Sequence, residues 1–219
     1  LSIGFLGSLL ALGAGLFVGA LAGYFGGRLD QFLMRLAEFF IMIPGFYFLL
    51  ALRSVLPPGL GSRQIYALII VILSLIGWGG VARVIRGMVF SIRENDFIAQ
   101  AKVLGRSDFE IIVRHIFPHT FSYLVVVMSV SIPGYILGES ALSILGLGIQ
   151  DPDVSWGNLL TESLSIAHIM LHPWVLIPGF IIFAASFCFH AAGDGLMPES
   201  NVILSVAKDL DSSPLRASE

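Results

Sequence analysis

The residues best placed to do chemistry in this chain are its charged ones, because they are few and unevenly spread. Charged side chains make up 12% of 219 residues, and half of the 12 Lys and Arg fall in one stretch: Arg83, Arg86, Arg93, Lys102, Arg106 and Arg114. They are mixed there with Glu94, Asp96, Asp108 and Glu110. Apolar residues run between the charges, Ala99, Ala101, Val103 and Leu104 first, then Phe109, Ile112, Val113 and Ile116 at helical spacing. Ser107 with Glu110 three residues on is a capping-box spacing, and Gly105 can take the left-handed conformation that ends a helix. The pattern predicts two short helices, over 97–104 and 107–117, on either side of Gly105-Arg106, with Pro118 at the start of the next apolar run. A segment of this kind docks; it breaks no bonds. It can lie on a lipid surface, pack on its own bundle, or enter a groove on a partner.

Other candidates are isolated. Glu139 sits in an apolar run, where an ionised carboxylate is costly; it either lines a pathway or is hydrogen-bonded near a helix end. Glu38, close to Arg35, reads as an interfacial charge. His168 and His172 are four apart and would share a helix face, but Pro173 ends any helix there and a third metal ligand is missing. His115 reads as structural, and His190 as facing a neighbouring helix. The single cysteine, Cys188, allows no intrachain disulfide. The sequence contains no G-x-x-x-x-G-K-[ST] to cradle ATP phosphates and no H-E-x-x-H.

The elements that position these residues are set by composition. Hydrophobic residues make up 56% of the chain and its mean hydropathy is +0.89, whereas soluble domains carry about a quarter charged residues. Lipid must therefore replace water around much of the surface. Five apolar runs are long enough to span: about 1–25, 32–56 with a kink at Pro44, 65–82 with helical character to about 92, 119–145 containing Pro133, and 173–192. The first is rich in small residues that allow close helix approach, and a polar break follows it over 26–31. Segment 53–64, with Pro57, Pro58, Gly59 and Gly61, reads as a loop. Lys and Arg favour cytoplasmic loops. Segment 146–172 has neither, so it is expected outside together with 53–64, and 83–118 and the C-terminus inside. The chain has no initiator Met and opens inside an apolar run, so an upstream segment is expected.

FIAQAKVLGRSDFEIIVRHIFP, from Phe97 to Pro118, resembles the EAA loop of ABC importer permeases, in the form typical of the dipeptide, oligopeptide and nickel branch. Ala101, Leu104, Gly105, Ser107, Ile111, Ile112, Arg114, His115, Ile116 and Pro118 match that pattern. Ala99 stands where the name-giving Glu sits, Gln100 replaces the first Ala, and Phe117 replaces a Leu. LAGYFGGRLDQFLMR, GWGGVARVIRGMVFSIRENDFIAQA and GESALSILGLGIQDPDVSWGNLL are similar to other stretches of the same family. FHAAGDGLMPE resembles the family's ending but diverges after Leu196.

The resemblance implies an all-α polytopic bundle over 1–196, five spans visible of six, with 94–118 as a cytoplasmic coupling loop. The polar tail 197–219 has no family counterpart and reads as disordered or non-native. It further implies the transmembrane subunit of an importer for di- or oligopeptides or a related solute such as nickel, in a bacterial inner membrane. Expected partners are a homologous permease subunit, two ABC ATPase subunits that hold the ATP, an extracytoplasmic solute-binding protein meeting the outward loop around Trp156 and Gly157, and lipid. No nucleic acid, no metal and no cofactor bound by this chain is expected, and no catalytic residue. A secondary transporter would need midplane ionisable residues and inverted repeats, for which Glu139 alone is a candidate; a non-functional permease fragment is the other alternative.

Overall fold

A computed structural model describes residues 1–55, 61–149 and 152–196. The tail at 197–219, Asp151, and Pro57, Pro58 and Gly59 of the expected loop lie outside the described residues. Within them the chain is helical and contains no strand: α1 (Ser2–Phe25), α2 (Gly27–Met42), α3 (Gly45–Val55), α4 (Ser62–Arg93), α5 (Asp96–Val103), α6 (Asp108–Ile111), a π-turn (Ile112–Ile116), α7 (Phe117–Ile144), α8 (Trp156–Leu159), α9 (Ile166–Leu171) and α10 (Ile177–Leu196). Short 3₁₀ turns flank α9 on both sides.

Four helical stretches are long and apolar enough to cross a membrane: Ser2–Phe25, Ser62–Arg93, Asp108–Ile144 and Pro173–Leu196. The expected span over 32–56 is two helices and not one kinked one. Pro44 cannot donate to a helical ladder and pushes the residue before it into extended geometry; Ile43 takes φ −74° and ψ 124°, and α2 stops at Met42. The polar break after α1 is also shorter than expected. Gly26 and Gly27, with φ of 65° and 61°, turn the chain, and Arg28 to Gln31 already belong to α2.

α1 and α4 form the centre of the bundle because glycine lets their backbones meet. A Cβ on Gly19 would lie 2.5 Å from the Ala82 carbonyl oxygen, and one on Gly15 or Gly23 would strike Val81 or Val89 at 2.6 and 2.7 Å. In lipid, where apolar burial gives helices little reason to associate, such close packing drives the contact. Gly4 brings α7 in through Ile132 and Ile136, and α10 covers the other side of α7 through Ile182 and Gly193.

Charged pairs fasten the helix ends nearest the 94–118 segment. Arg93 Nη1 donates to the Gly23 and Tyr24 carbonyls at 3.0 and 3.4 Å, satisfying acceptors that the end of α1 leaves open. Arg86 grips the buried Asp30 with two hydrogen bonds, Nε to Oδ1 and Nη2 to Oδ2, the latter at 2.6 Å. This ties the first turn of α2 to α4 in the fork geometry that makes Arg–carboxylate pairs strong.

Candidate functional site: the 94–118 segment and the opposite mouth

Helix termination at Gly105 builds the turn of the segment. α5 ends in a Schellman arrangement: the Arg106 N–H donates to the Ala101 carbonyl at 3.1 Å and the Gly105 N–H to Lys102 at 3.0 Å, with Gly105 at φ 72°. Ser107 then caps α6, its Oγ accepting from the Glu110 N–H at 3.2 Å. The other half of the expected capping box is replaced by an ion-pair clamp. The Glu110 carboxylate accepts from Arg106, and from Arg114 Nη1 at 2.9 Å.

The second expected short helix is not separate from the next span. α6, the π-turn and α7 form one rod over Asp108–Ile144. Pro118 explains the π-turn. A proline inside a regular α-helix removes one N–H and presses on the carbonyl four residues back, and widening one turn to an i→i−5 bond, Phe117 N–H to Ile112, makes room for it.

Two faces result. Ile98, Ala101, Ile111, Ile112 and Ile116 are buried against Tyr24, Ile85 and Val89 of α1 and α4. Polar contacts reinforce this seam: Tyr24 Oη donates to Asp108 Oδ1 at 2.5 Å, and Lys102 Nζ sits 5.1 Å from the Tyr24 ring centroid. Phe97 stacks on His119 and His115, with centroids 5.4 and 6.4 Å away. The opposite face projects Val103, Leu104 and Phe109, which are 88%, 78% and 75% exposed. Beside them is an open recess of about 490 Å³ lined by Asp96, Ala99, Gln100, Val103 and Leu104. Three large apolar side chains on a charged end of a bundle mark a surface suited to a partner.

Of the residues singled out from sequence, Ala101 and Ile112 therefore hold the segment to the bundle, while Leu104, Gly105, Ser107, Arg114 and Pro118 lie on the surface. His115 is half-buried, and its Nδ1 is enclosed without a hydrogen-bond partner among the described residues. Sequence reasoning placed Val103 and Leu104 with Ala101 in one apolar set, although they point to opposite sides. Tyr24 was not singled out; its signals were its place at the end of an apolar span and in the family-like stretch LAGYFGGRLDQFLMR.

At the far end of the bundle Glu139 is buried and accepts from Ser143 Oγ, one turn on in the same helix, at 2.6 Å. Ser143 Oγ also accepts from the Ile149 N–H at 3.2 Å and lies 3.4 Å from Ser155 Oγ. The segment after α7 thus folds back onto that helix. Gly157 makes this possible, since a Cβ there would come within 2.6 Å of Ser140 Cα; half-buried Trp156 packs with Ile132, Ile136 and Ile182. Glu139, Arg63, Asp153 and Trp156 line a cavity of about 890 Å³. The carboxylate is hydrogen-bonded and lines a cavity at once.

The remaining candidates resolve simply. Glu38 lies 3.7 Å from Arg35 and 3.8 Å from Arg83, an exposed charge cluster. His168 and His172 are edge to face at 5.2 Å, and among the described residues no three potential metal ligands come together. His190 does not face a neighbouring helix; it is exposed, and its Nδ1 is 2.9 Å from the Ser186 carbonyl of its own helix.

Comparison with known proteins places this geometry. The family model described as binding-protein-dependent transport system inner membrane component matches residues 15–199. The chain is 37% identical over 197 residues to the oligopeptide transport system permease protein OppC of Haemophilus influenzae, covering 90% of this chain and 61% of that protein. It is 36% identical over 197 residues to the dipeptide transport system permease protein DppC of Bacillus subtilis, covering 90% and 59%. The chain thus spans about three fifths of the length of these curated relatives. Among solved structures, a chain of the MetNI methionine ABC transporter in an inward-facing conformation superposes with a TM-score of 0.61 at 16% identity, over 90% of this chain and 92% of that one. That likeness is one of fold.

Proposed function

Because the chain belongs to the binding-protein-dependent transport system inner membrane component family, we propose that it is the membrane-spanning subunit of an ATP-driven importer for dipeptides or oligopeptides. The observation that carries this reading is the two-faced 94–118 segment. It is fastened to α1 and α4 by buried isoleucines and the Tyr24–Asp108 hydrogen bond, yet it presents Val103, Leu104 and Phe109 outward. A unit tied inward and apolar outward suits a handle that a separate protein grips and moves.

The partner at that handle is one of two ATPase subunits on the cytoplasmic side, where the basic residues of 83–114 belong. Closure of the ATPases around ATP displaces α5 and α6, and the buried seam carries the motion to α1 and α4 as a rigid-body shift between inward-open and outward-open arrangements. A homologous permease subunit pairs with this one to enclose the path. The opposite mouth, with Trp156 and Gly157 folded onto α7 and Glu139 lining its cavity, faces outward and receives solute from a binding protein. Nickel or another small solute is the second reading within the same branch. Energised uptake of a labelled dipeptide and tripeptide by cells carrying the full-length gene, against cells lacking it, tests the proposal. Uptake that depends on the gene and on ATP supports it; uptake driven by an ion gradient instead assigns the chain to secondary transport.

A further inference from the structure

Where α2 meets α4, near the 94–118 segment, several arginines share two carboxylates. Asp30 is engaged by Arg86 in the bidentate pair. That leaves Glu38 between Arg35 and Arg83, at 3.7 and 3.8 Å, close to the limit of ion pairing, with those two side chains 85% and 53% exposed. Both guanidiniums keep donors to spare, since each has five. Arg28, exposed on the first turn of α2, adds a further positive charge. An open pocket of about 460 Å³ is lined by Asp30, Arg35, Glu38, Arg83, Arg86 and Met34.

The depth of the pocket suits a lipid headgroup. α4 has 32 residues, a length of about 48 Å at the helical rise, against a hydrocarbon core of about 30 Å. With its apolar run 65–82 in that core, the last third, which carries Arg83 and Arg86, reaches the interface. The neighbouring face of α2 is apolar and open: Phe32, Leu36 and Phe39 follow one another at helical spacing and are 67%, 41% and 60% exposed. Each stands one residue on from a pocket-lining residue, Gln31, Arg35 and Glu38, about 100° round the helix. A ligand with a phosphate and an acyl chain would meet both surfaces. A free phosphate would find only two guanidiniums, one of them 85% exposed, in competition with water.

We propose that this pocket binds the phosphate of an anionic phospholipid, with Arg35 and Arg83 as its donors and the Phe32–Leu36–Phe39 face against the acyl chain. The inference rests on the membrane-spanning fold and is independent of the solute or of ATP. Glu38 is the built-in competitor: it occupies, loosely, the position that a lipid phosphate would take.

The test is the full-length chain reconstituted in vesicles doped with spin-labelled phosphatidylglycerol or phosphatidylcholine, with the motionally restricted fraction read by electron spin resonance. Phosphatidylglycerol is expected to be preferred. The R35Q and R83Q substitutions should each lower that preference about fivefold, the attraction of one basic side chain for an anionic surface. Glu38→Gln should raise it, a gain that misfolding cannot produce. No preference in the natural chain, or one unchanged in the double variant, would overturn the site, as would a loss in Glu38→Gln. Erasure of the preference by millimolar inorganic phosphate would give the pocket to soluble phosphate esters and overturn the lipid assignment.

Discussion

Tyr24 and Asp108 are 84 positions apart, and the tyrosine hydroxyl donates to the aspartate carboxylate at 2.5 Å. Tyr24 belongs to the last turn of α1 and Asp108 to the first turn of α6. The bond therefore joins the surface segment to the helix at the centre of the bundle. A force on α6 reaches α1 through it, as well as through the chain that continues into α7.

Tyr24→Phe keeps the ring beneath Lys102 and removes only the donor. A hydrogen bond to a carboxylate that is partly solvated is worth about 1 kcal/mol. Membrane insertion should be unchanged, whereas solute moved per ATP hydrolysed should fall by up to about fivefold. Parallel measurement of uptake and ATP hydrolysis in proteoliposomes checks this, and an unchanged ratio would remove the bond from the coupling route.

Gly105 is the hinge of the same segment. At φ 72° an alanine is strained by about 1–2 kcal/mol, and proline, fixed near −65°, cannot take the conformation at all. Gly105→Ala should retain reduced uptake and Gly105→Pro should have none, with both variants still inserted in the membrane. Normal uptake by Gly105→Pro would sink the coupling role.

Much of this was legible in the sequence, and what was not has a common cause. Gly105 and Ser107 were readable because a left-handed turn and an N-cap are local devices. The position of Pro44 was readable too, though whether it kinks or breaks a helix depends on Ile43, which takes extended geometry here. Pro118 was readable as the start of the next span, and α7 does begin at Phe117; that a π-turn joins it to α6 without a break is visible only in three dimensions. The Asp30–Arg86 and Tyr24–Asp108 pairs join residues far apart in sequence, and periodicity carries no information about such partners. For the same reason it could not separate buried Ala101 from exposed Leu104, since a short helix held on one side by tertiary contacts leaves its other apolar residues free.

The α1–α4 seam makes a matched pair of predictions. A side chain at Gly19 meets the α4 backbone at 2.5 Å, whereas one at Gly13 has nothing within 4 Å. Gly19→Leu should cost about 1–3 kcal/mol or more from overpacking and lower the melting temperature in detergent, while Gly13→Leu should leave it nearly unchanged. Equal tolerance of both would mean that α1 and α4 are not packed as described.

Orientation is open to direct labelling. Cys188 is exposed and must first be replaced by Ser. A cysteine at Ser107 should then react with a membrane-impermeant maleimide in inside-out vesicles only, and one at Val154, which is exposed at the opposite mouth, in intact cells only. The reverse pattern would invert the topology.

The most direct measurement of the central claim is the reactivity of a cysteine at Leu104, again in the Cys188→Ser background, in inside-out vesicles with and without the ATPase subunits. Leu104 is 78% exposed, so the chain alone should be labelled rapidly. A bound ATPase should cover the site, slowing labelling at least tenfold, while a control cysteine at Arg28, exposed on the first turn of α2, is unchanged. Equal labelling of Leu104→Cys in both preparations would contradict docking at this face, and with it the proposal that the 94–118 segment couples ATP hydrolysis to transport.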